Sequence, residues 1–256
     1  MSNAPVAMAR RAIALLDLTE LGDHATDADA AALCARAVGP YGNVAAVCVW
    51  PRHVALAVEA LWGSSVRVAT VVNFPSGNEP AADVVATTQQ ALTDGADEID
   101  LVLPYCALLA GDTTAAAAMI DAVRAVVPAD SHRLKVILET GELVAPAVIR
   151  HAAELAVAHG ADFIKTSTGK TPHSASLEAT AIMLDVIQRA DRTVGLKPSG
   201  GIRTLDDATH FLTQADNLLG PDWAIAATFR FGASGLLAAL IAAIEGDTGV
   251  QTSEVY

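Results

Sequence analysis

Eight times along this chain a short run of apolar and β-branched residues gives way to a stretch with helical periodicity. The runs fall at residues 13–19, 44–50, 66–74, 97–104, 133–140, 163–165, 193–197 and 223–231. Helical segments follow at 26–38, 54–61, 79–93, 115–127, 144–158, 176–190, 205–219 and from 232 onward. Such alternation predicts parallel strands, because each return to the same end of a sheet needs a crossover of a dozen or more residues. Strands that are apolar almost throughout suit a sheet covered by helices. The punctuation agrees: Thr26-Asp27-Ala28-Asp29 offers a helix N-cap, Gly39-Pro40 and Pro128 are stops, and Gly160 sits just past a helix end. A doubly wound open sheet is the rival, but no Gly-x-Gly-x-x-Gly turn follows an early strand. The expectation is therefore an α/β chain forming a (β/α)8 TIM barrel, which takes about 250 residues. The 256 residues make one domain, 1–256, with an N-terminal helical extension and a flexible, polar C-terminal tail at 247–256.

Bulk properties narrow the partners. A hydrophobic content of 52% is ample for a core, and a formal net charge of −13 argues against a nucleic-acid surface. Cys34, Cys48 and Cys106 are odd in number and lack metal-ligand spacing, which fits free thiols in a reducing cytoplasm. Neither a signal peptide nor an uninterrupted membrane-spanning run is read in the chain. The seven histidines are scattered and expected in solvent, and no metal or cofactor is expected.

Lysine is used sparingly. Only Lys135, Lys165, Lys170 and Lys197 occur, against twelve arginines. Lys165 and Lys197 each end an apolar strand and precede a glycine turn, and Asp100 lies between Ile99 and Leu101 in another strand. A lysine in such a place can snorkel or pair with a carboxylate. It can also be kept for amine chemistry, which arginine, with a pKa above about 12, cannot perform. Asp17 sits in an apolar run, and Lys135 shares a strand face with Glu139, serving either the site or a supporting ion pair. Two neighbouring ammonium groups would repel, lowering one pKa until a neutral amine can attack a carbonyl.

The segments Phe163-Ile164-Lys165-Thr166-Ser167-Thr168-Gly169-Lys170 and Gly195-Leu196-Lys197-Pro198-Ser199-Gly200-Gly201-Ile202-Arg203-Thr204 resemble two motifs of the deoxyribose-phosphate aldolase family. The likeness runs from about Leu15 to Tyr256. It implies Lys165 as the Schiff-base nucleophile, Lys197 as the neighbour that lowers its pKa, and Asp100 as the proton-exchanging carboxylate. It further implies Asp17, Cys48 and Thr168 at the substrate pocket, although a cysteine like Cys48 is by default a small core hydrophobe. Tyr256 would act in proton transfer. The glycine turns at Gly169-Lys170, Gly200-Gly201-Ile202-Arg203 and Gly232-Ala233-Ser234 are candidates for a phosphate site. Gly235 departs from a serine common in the family, which puts a hydroxyl contact there in doubt. The implied activity is metal-independent cleavage of 2-deoxy-D-ribose 5-phosphate to acetaldehyde and D-glyceraldehyde 3-phosphate, in a cytoplasmic homodimer. The partners are then phosphosugar and aldehyde, with no nucleic acid and no membrane. A Schiff-base aldolase or transaldolase for another phosphosugar, or a binding barrel without catalysis, would share much of this sequence.

Overall fold

The computed structural model describes residues 4–246. In chain order its elements are α1 (Ala4–Ala14), β1 (Leu16–Glu20), α2 (Asp27–Ala37), β2 (Ala46–Val49), α3 (Val54–Ala60), β3 (Arg67–Val72), α4 (Ala81–Thr93), β4 (Glu98–Val102), α5 (Tyr105–Leu109) and α6 (Thr113–Arg124). There follow β5 (Arg133–Ile137), α7 (Thr140–Leu143), α8 (Pro146–Ala158), β6 (Phe163–Lys165), α9 (Leu177–Arg189), β7 (Gly195–Lys197), α10 (Leu205–Leu219), β8 (Phe231–Ala233) and α11 (Leu236–Glu245). All strand pairs are parallel, in the order β7-β6-β5-β4-β3-β2-β1-β8. Parallel bridges from Leu196 to Phe229 and from Ser199 to Gly232 join the two ends, so the sheet closes into a barrel. The hydrogen bonds at that seam run from Arg230 N to Leu196 O and from Gly232 N to Pro198 O, each 2.9 Å.

Successive strand residues point to opposite faces. One set, including Leu16, Leu18, Val47, Ile99, Leu101, Val136, Ile164 and Leu196, packs outward beneath the helices in the main core. The other set points into the barrel. There Cys48, Ala69, Val71, Val102 and Ile137 form a small apolar cluster with Leu21 and Phe74, and Asp17, Glu98, Asp100, Lys135, Lys165 and Lys197 bring charge to the same interior. Local signals set the helix starts: Thr26 with Asp29 and Thr204 with Asp207 form capping boxes, and Ser176 caps α9. Such a cap is worth about 1 kcal/mol. The α1 extension packs against α10 and α11 and is tied to α10 by Arg11 and Asp216 at 2.6 Å.

Several elements differ from the sequence expectation. The last strand is Phe231–Ala233 rather than 223–231. Residues 221–228 are turns, because the Thr228 hydroxyl donates to the Trp223 carbonyl and Trp223 packs edge-on against Phe229 at 6.4 Å. Ala224 of that segment is buried and Trp223 and Ala226 pack against the main core, while Ile225 is exposed, so its apolar character does not mark a strand. The fifth strand stops at Ile137, since Glu139 adopts a left-handed φ of 57° and opens α7. The short helices α5 and α7 carried no periodic signal long enough to read. His53 is buried rather than solvated, with Nδ1 2.9 Å from Asp27 Oδ1 and Nε2 3.2 Å from Ala25 O. Among the described residues no helix is long and apolar enough to cross a membrane. Tyr256 and the 247–256 tail lie outside the described residues.

Candidate active site

Parallel strands deliver their inward residues to one end of the barrel, and register decides which ones meet. Asp100 stands opposite Lys135, and Lys165 opposite Lys197. The result is a tight cluster. Asp100 Oδ2 accepts from Lys165 Nζ at 2.9 Å and from Lys197 Nζ at 2.7 Å, while its Oδ1 accepts from Lys135 Nζ at 2.8 Å. Three lysines therefore share one carboxylate. Lys197 Nζ also lies 2.6 Å from Asp17 Oδ2, at an angle too poor for a directed hydrogen bond, so that contact is ionic. Asp17, Asp100, Lys135 and Lys197 are fully buried, and Lys165 is 3% exposed.

This setting separates the lysines. Burial pushes the Lys165 pKa down, Asp100 opposes that, and Lys197 adds to it; the balance is a lowered value. Lys197 feels the same burial, but Asp100 and Asp17 together outweigh it and hold its pKa above the ordinary value. Lys135 is raised further, since burial is overcome by Asp100, Glu98 and Asp17. Repulsion from Lys197 is thus a contributor to the Lys165 shift and burial is the leading cause, which refines the sequence argument. Burial also works against charge on Asp100, yet Lys135, Lys165 and Lys197 hold its pKa well below the carboxylate range. An amine whose pKa is lowered gives up its proton more readily and can then add to a carbonyl, and a carboxylate in hydrogen-bond contact can relay the protons that addition releases.

The other sequence candidates fall around this centre. Cys48 is buried in the apolar interior, its thiol pKa raised by burial and opposed by the nearby Lys197. It reads as packing that walls the site. Thr168 does not reach the lysines: its N–H and hydroxyl both donate to Glu139, which the sequence had placed with Lys135. Burial raises the Glu139 pKa, in spite of the Thr168 hydrogen bonds. Lys135 belongs to the charge cluster, pairing with Glu98 at 2.6 Å.

The three glycine turns converge beside the lysines. Gly169, Gly200 and Gly201 have φ of 81°, 79° and 77°, a region that favours glycine. Gly232 has no room for a side chain, since a Cβ would stand 2.2 Å from Ser199 Oγ and 3.2 Å from Lys197 Cε. The N–H groups of Gly200 and Gly232 close the barrel seam, Arg203 N–H donates to Asp207, and Lys170 N–H donates to Thr168 Oγ1. Among the described residues the N–H groups of Gly169, Gly201, Ile202 and Ser234 make no hydrogen bond, which leaves four backbone donors in these turns without a protein acceptor. Ile202 is buried beneath this loop. Lys170 reaches across the mouth to Asp23 at 2.8 Å.

Two participants were not read from the sequence. Arg230 donates to Asp17 Oδ1 at 2.6 Å and to Glu98 Oε1 at 2.8 Å, and both Glu98 and Arg230 are buried. Arg230 was hidden by the misplaced last strand. Glu98 is two residues from Asp100, so strand period alone could have put them on one face.

A closed parallel barrel holding amines and carboxylates at its strand ends has the architecture of an enzyme acting on a small molecule. The comparisons sharpen that class. Residues 11–240 match the model of the DeoC/LacD family aldolases, and the chain belongs to that family. A protein named deoxyribose-phosphate aldolase from Agrobacterium fabrum (strain C58) is 51% identical over 246 residues, covering 95% of this chain and 94% of the relative. A crystal structure from Coccidioides immitis, of a protein provisionally named a deoxyribose-phosphate aldolase, is 33% identical with a TM-score of 0.80 and covers 91% of this chain and 85% of that one. The tetrameric deoxyribose phosphate aldolase of Aeropyrum pernix is 24% identical with a TM-score of 0.75, covers 94% of this chain and 92% of that one, and shares the fold.

Proposed function

We propose that this chain is a deoxyribose-phosphate aldolase that cleaves 2-deoxy-D-ribose 5-phosphate reversibly through a Schiff base on Lys165. The observation that carries this reading is the shared carboxylate: Lys165 and Lys197 both contact Asp100 Oδ2, yet only Lys165 has a lowered pKa. The Lys165 amine adds to C1 of the open-chain sugar, and loss of water gives the iminium. A base takes the proton of the C3 hydroxyl, the C2–C3 bond breaks, and its electron pair moves into the iminium to form an enamine. D-Glyceraldehyde 3-phosphate leaves. Protonation of the enamine at C2 and hydrolysis then release acetaldehyde and restore the amine. Asp100 is the residue placed to pass protons during addition and dehydration, and Lys197 stays charged beside it. Asp17 acts on the site through Lys197, which it holds in place.

The anion end of the substrate is assigned to the turns at Gly169-Lys170, Gly200-Gly201-Ile202-Arg203 and Gly232-Ala233-Ser234, with the N–H groups of Gly169, Gly201, Ile202 and Ser234 as donors. Tyr256 as a proton carrier, cytoplasmic location and a homodimer belong to the same proposal and rest on the family likeness; sedimentation of the purified chain tests the dimer. Borohydride reduction in the presence of acetaldehyde tests the chemistry. A stable adduct mapping to Lys165 is expected, and an adduct on another lysine, or none, rules the assignment out.

A further inference from the structure

The charges inside the barrel form a ring. Arg230 contacts Asp17 at 2.6 Å, Asp17 contacts Lys197 at 2.6 Å, and Lys197 contacts Asp100 at 2.7 Å. Asp100 contacts Lys135 at 2.8 Å, Lys135 contacts Glu98 at 2.6 Å, and Glu98 returns to Arg230 at 2.8 Å. Six groups alternate in sign around this circuit, three anions and three cations, so its net charge is zero. Among the described residues Lys165 is a seventh member attached at Asp100 only. Protonated, it would leave one uncompensated positive charge inside a closed sheet, where an unpaired ion costs several kcal/mol. Unprotonated, it leaves the interior balanced.

We propose that Glu98 and Arg230 are positioning residues for the aldol reaction, closing the ring at zero net charge so that Lys165 is the member that gives up its proton. They act through other groups and do not face the substrate. Arg230 lies at the opposite end of the barrel interior from the glycine turns. It lines a cavity of about 450 Å³ there with Arg67, Asp97, Glu98, Arg133 and Phe163. Its guanidinium is fixed by both carboxylates, by the Ala226 carbonyl and by the Phe163 ring, whose centroid is 5.7 Å away. The charged and titratable groups around Lys165 are Asp100 on β4, Lys135 on β5, Lys197 on β7, Cys48 on β2, Asp17 on β1 and Glu139 after β5. Four of these are ring members; outside the ring, Glu139 is taken up by hydrogen bonds from Thr168 and Thr171, and Cys48 packs in the apolar cluster. Among the described residues the carboxylate paired with the Lys165 amine is Asp100, so the ring reaches that amine through direct contact.

The inference rests on Lys165 being the nucleophile, and one experiment separates the two claims. Acetaldehyde trapping with borohydride is followed against pH by mass spectrometry, with the adduct mapped in every variant. Glu98→Gln leaves the ring at +1 and is expected to move the trapping midpoint to lower pH. Arg230→Gln leaves it at −1 and is expected to move the midpoint to higher pH. A unit charge roughly 10 Å from the amine, at an effective dielectric of about 20, corresponds to a shift of about one pH unit. Arg230→Lys keeps the charge and should hold the midpoint close to the parent's. The double variant Glu98→Gln/Arg230→Gln restores neutrality and should return the midpoint to within about 0.3 unit, a cancellation that mere loosening of the barrel would not produce. Singles that leave the midpoint unmoved, singles that move it the same way, or a double that sums rather than cancels would each overturn the proposal. Should Arg230→Gln not fold, Glu98→Gln alone decides: a midpoint that stays put or rises refutes it. An adduct away from Lys165 in the parent would instead overturn the nucleophile assignment.

Discussion

Replacing Asp100 by Asn removes the one carboxylate common to three lysines while keeping its shape. The consequences differ by lysine. Lys135 retains Glu98 and Asp17, and Lys197 retains Asp17, but among the described residues Lys165 has no other carboxylate within 4.0 Å. With Asp100 2.9 Å from the Lys165 amine, the attraction at an effective dielectric of about 20 is roughly 6 kcal/mol. Even if relaxation and water entry absorb three quarters of it, about 1.5 kcal/mol remains, a shift of about one pKa unit. Asp100 favours the ammonium form, so its loss lowers the Lys165 pKa, and the amine is free at lower pH. Trapping of acetaldehyde on Lys165 should then have its midpoint displaced to acid by one unit or more. Turnover should move the other way, falling about 10²–10⁴-fold, because the group proposed to carry protons is gone. Breaking a buried pair costs about 3–5 kcal/mol, which for a chain of this size lowers Tm by roughly 10 °C. A trapping midpoint that stayed fixed or rose would show that Asp100 does not set the charge on Lys165.

Two further outcomes follow from the same geometry. Folding lowers the pKa values of Asp17, Glu98 and Asp100; their contribution is complete above the unfolded value near 4 and drains away as pH falls through the folded values. Urea unfolding should show stability dropping between about pH 5 and 3, less steeply in Asp17→Asn, and a flat or rising profile would contradict the buried ion pairs. Gly232→Ala would set a methyl 2.2 Å from Ser199 Oγ and 3.2 Å from Lys197 Cε. It should cost about 1–3 kcal/mol and lower kcat, with Ser199→Gly recovering most of the stability in denaturant unfolding; unaltered stability and kcat would mean the seam is looser than described.

The reading from sequence succeeded where a residue's meaning is local and failed where it is set by distant partners. Strand and helix alternation predicted the parallel barrel because each crossover is written in contiguous periodicity. Lys165, Lys197 and Asp100 stood out as ionisable residues in apolar runs, which is a burial signal in one dimension. Arg230 and Glu98 were missed for different reasons. Arg230 was absorbed into a strand that turned out to be a run of turns, while Glu98 adjoined Asp97, which pairs with the exposed Arg67. The left-handed Glu139 had no local mark, since its conformation is held by hydrogen bonds to the Thr168 segment. The leading cause of the Lys165 shift is depth of burial, which no spacing of lysines reveals.

The chain contains four lysines, so lysine-selective ¹³C labelling places four ε-carbon signals in a heteronuclear spectrum of the folded enzyme. Assigned by single substitutions and followed against pH, the Lys165 signal should titrate below the ordinary lysine value while Lys135 and Lys197 remain charged beyond it. A Lys165 signal titrating at or above that value, or a depressed Lys197 in its place, would contradict the account.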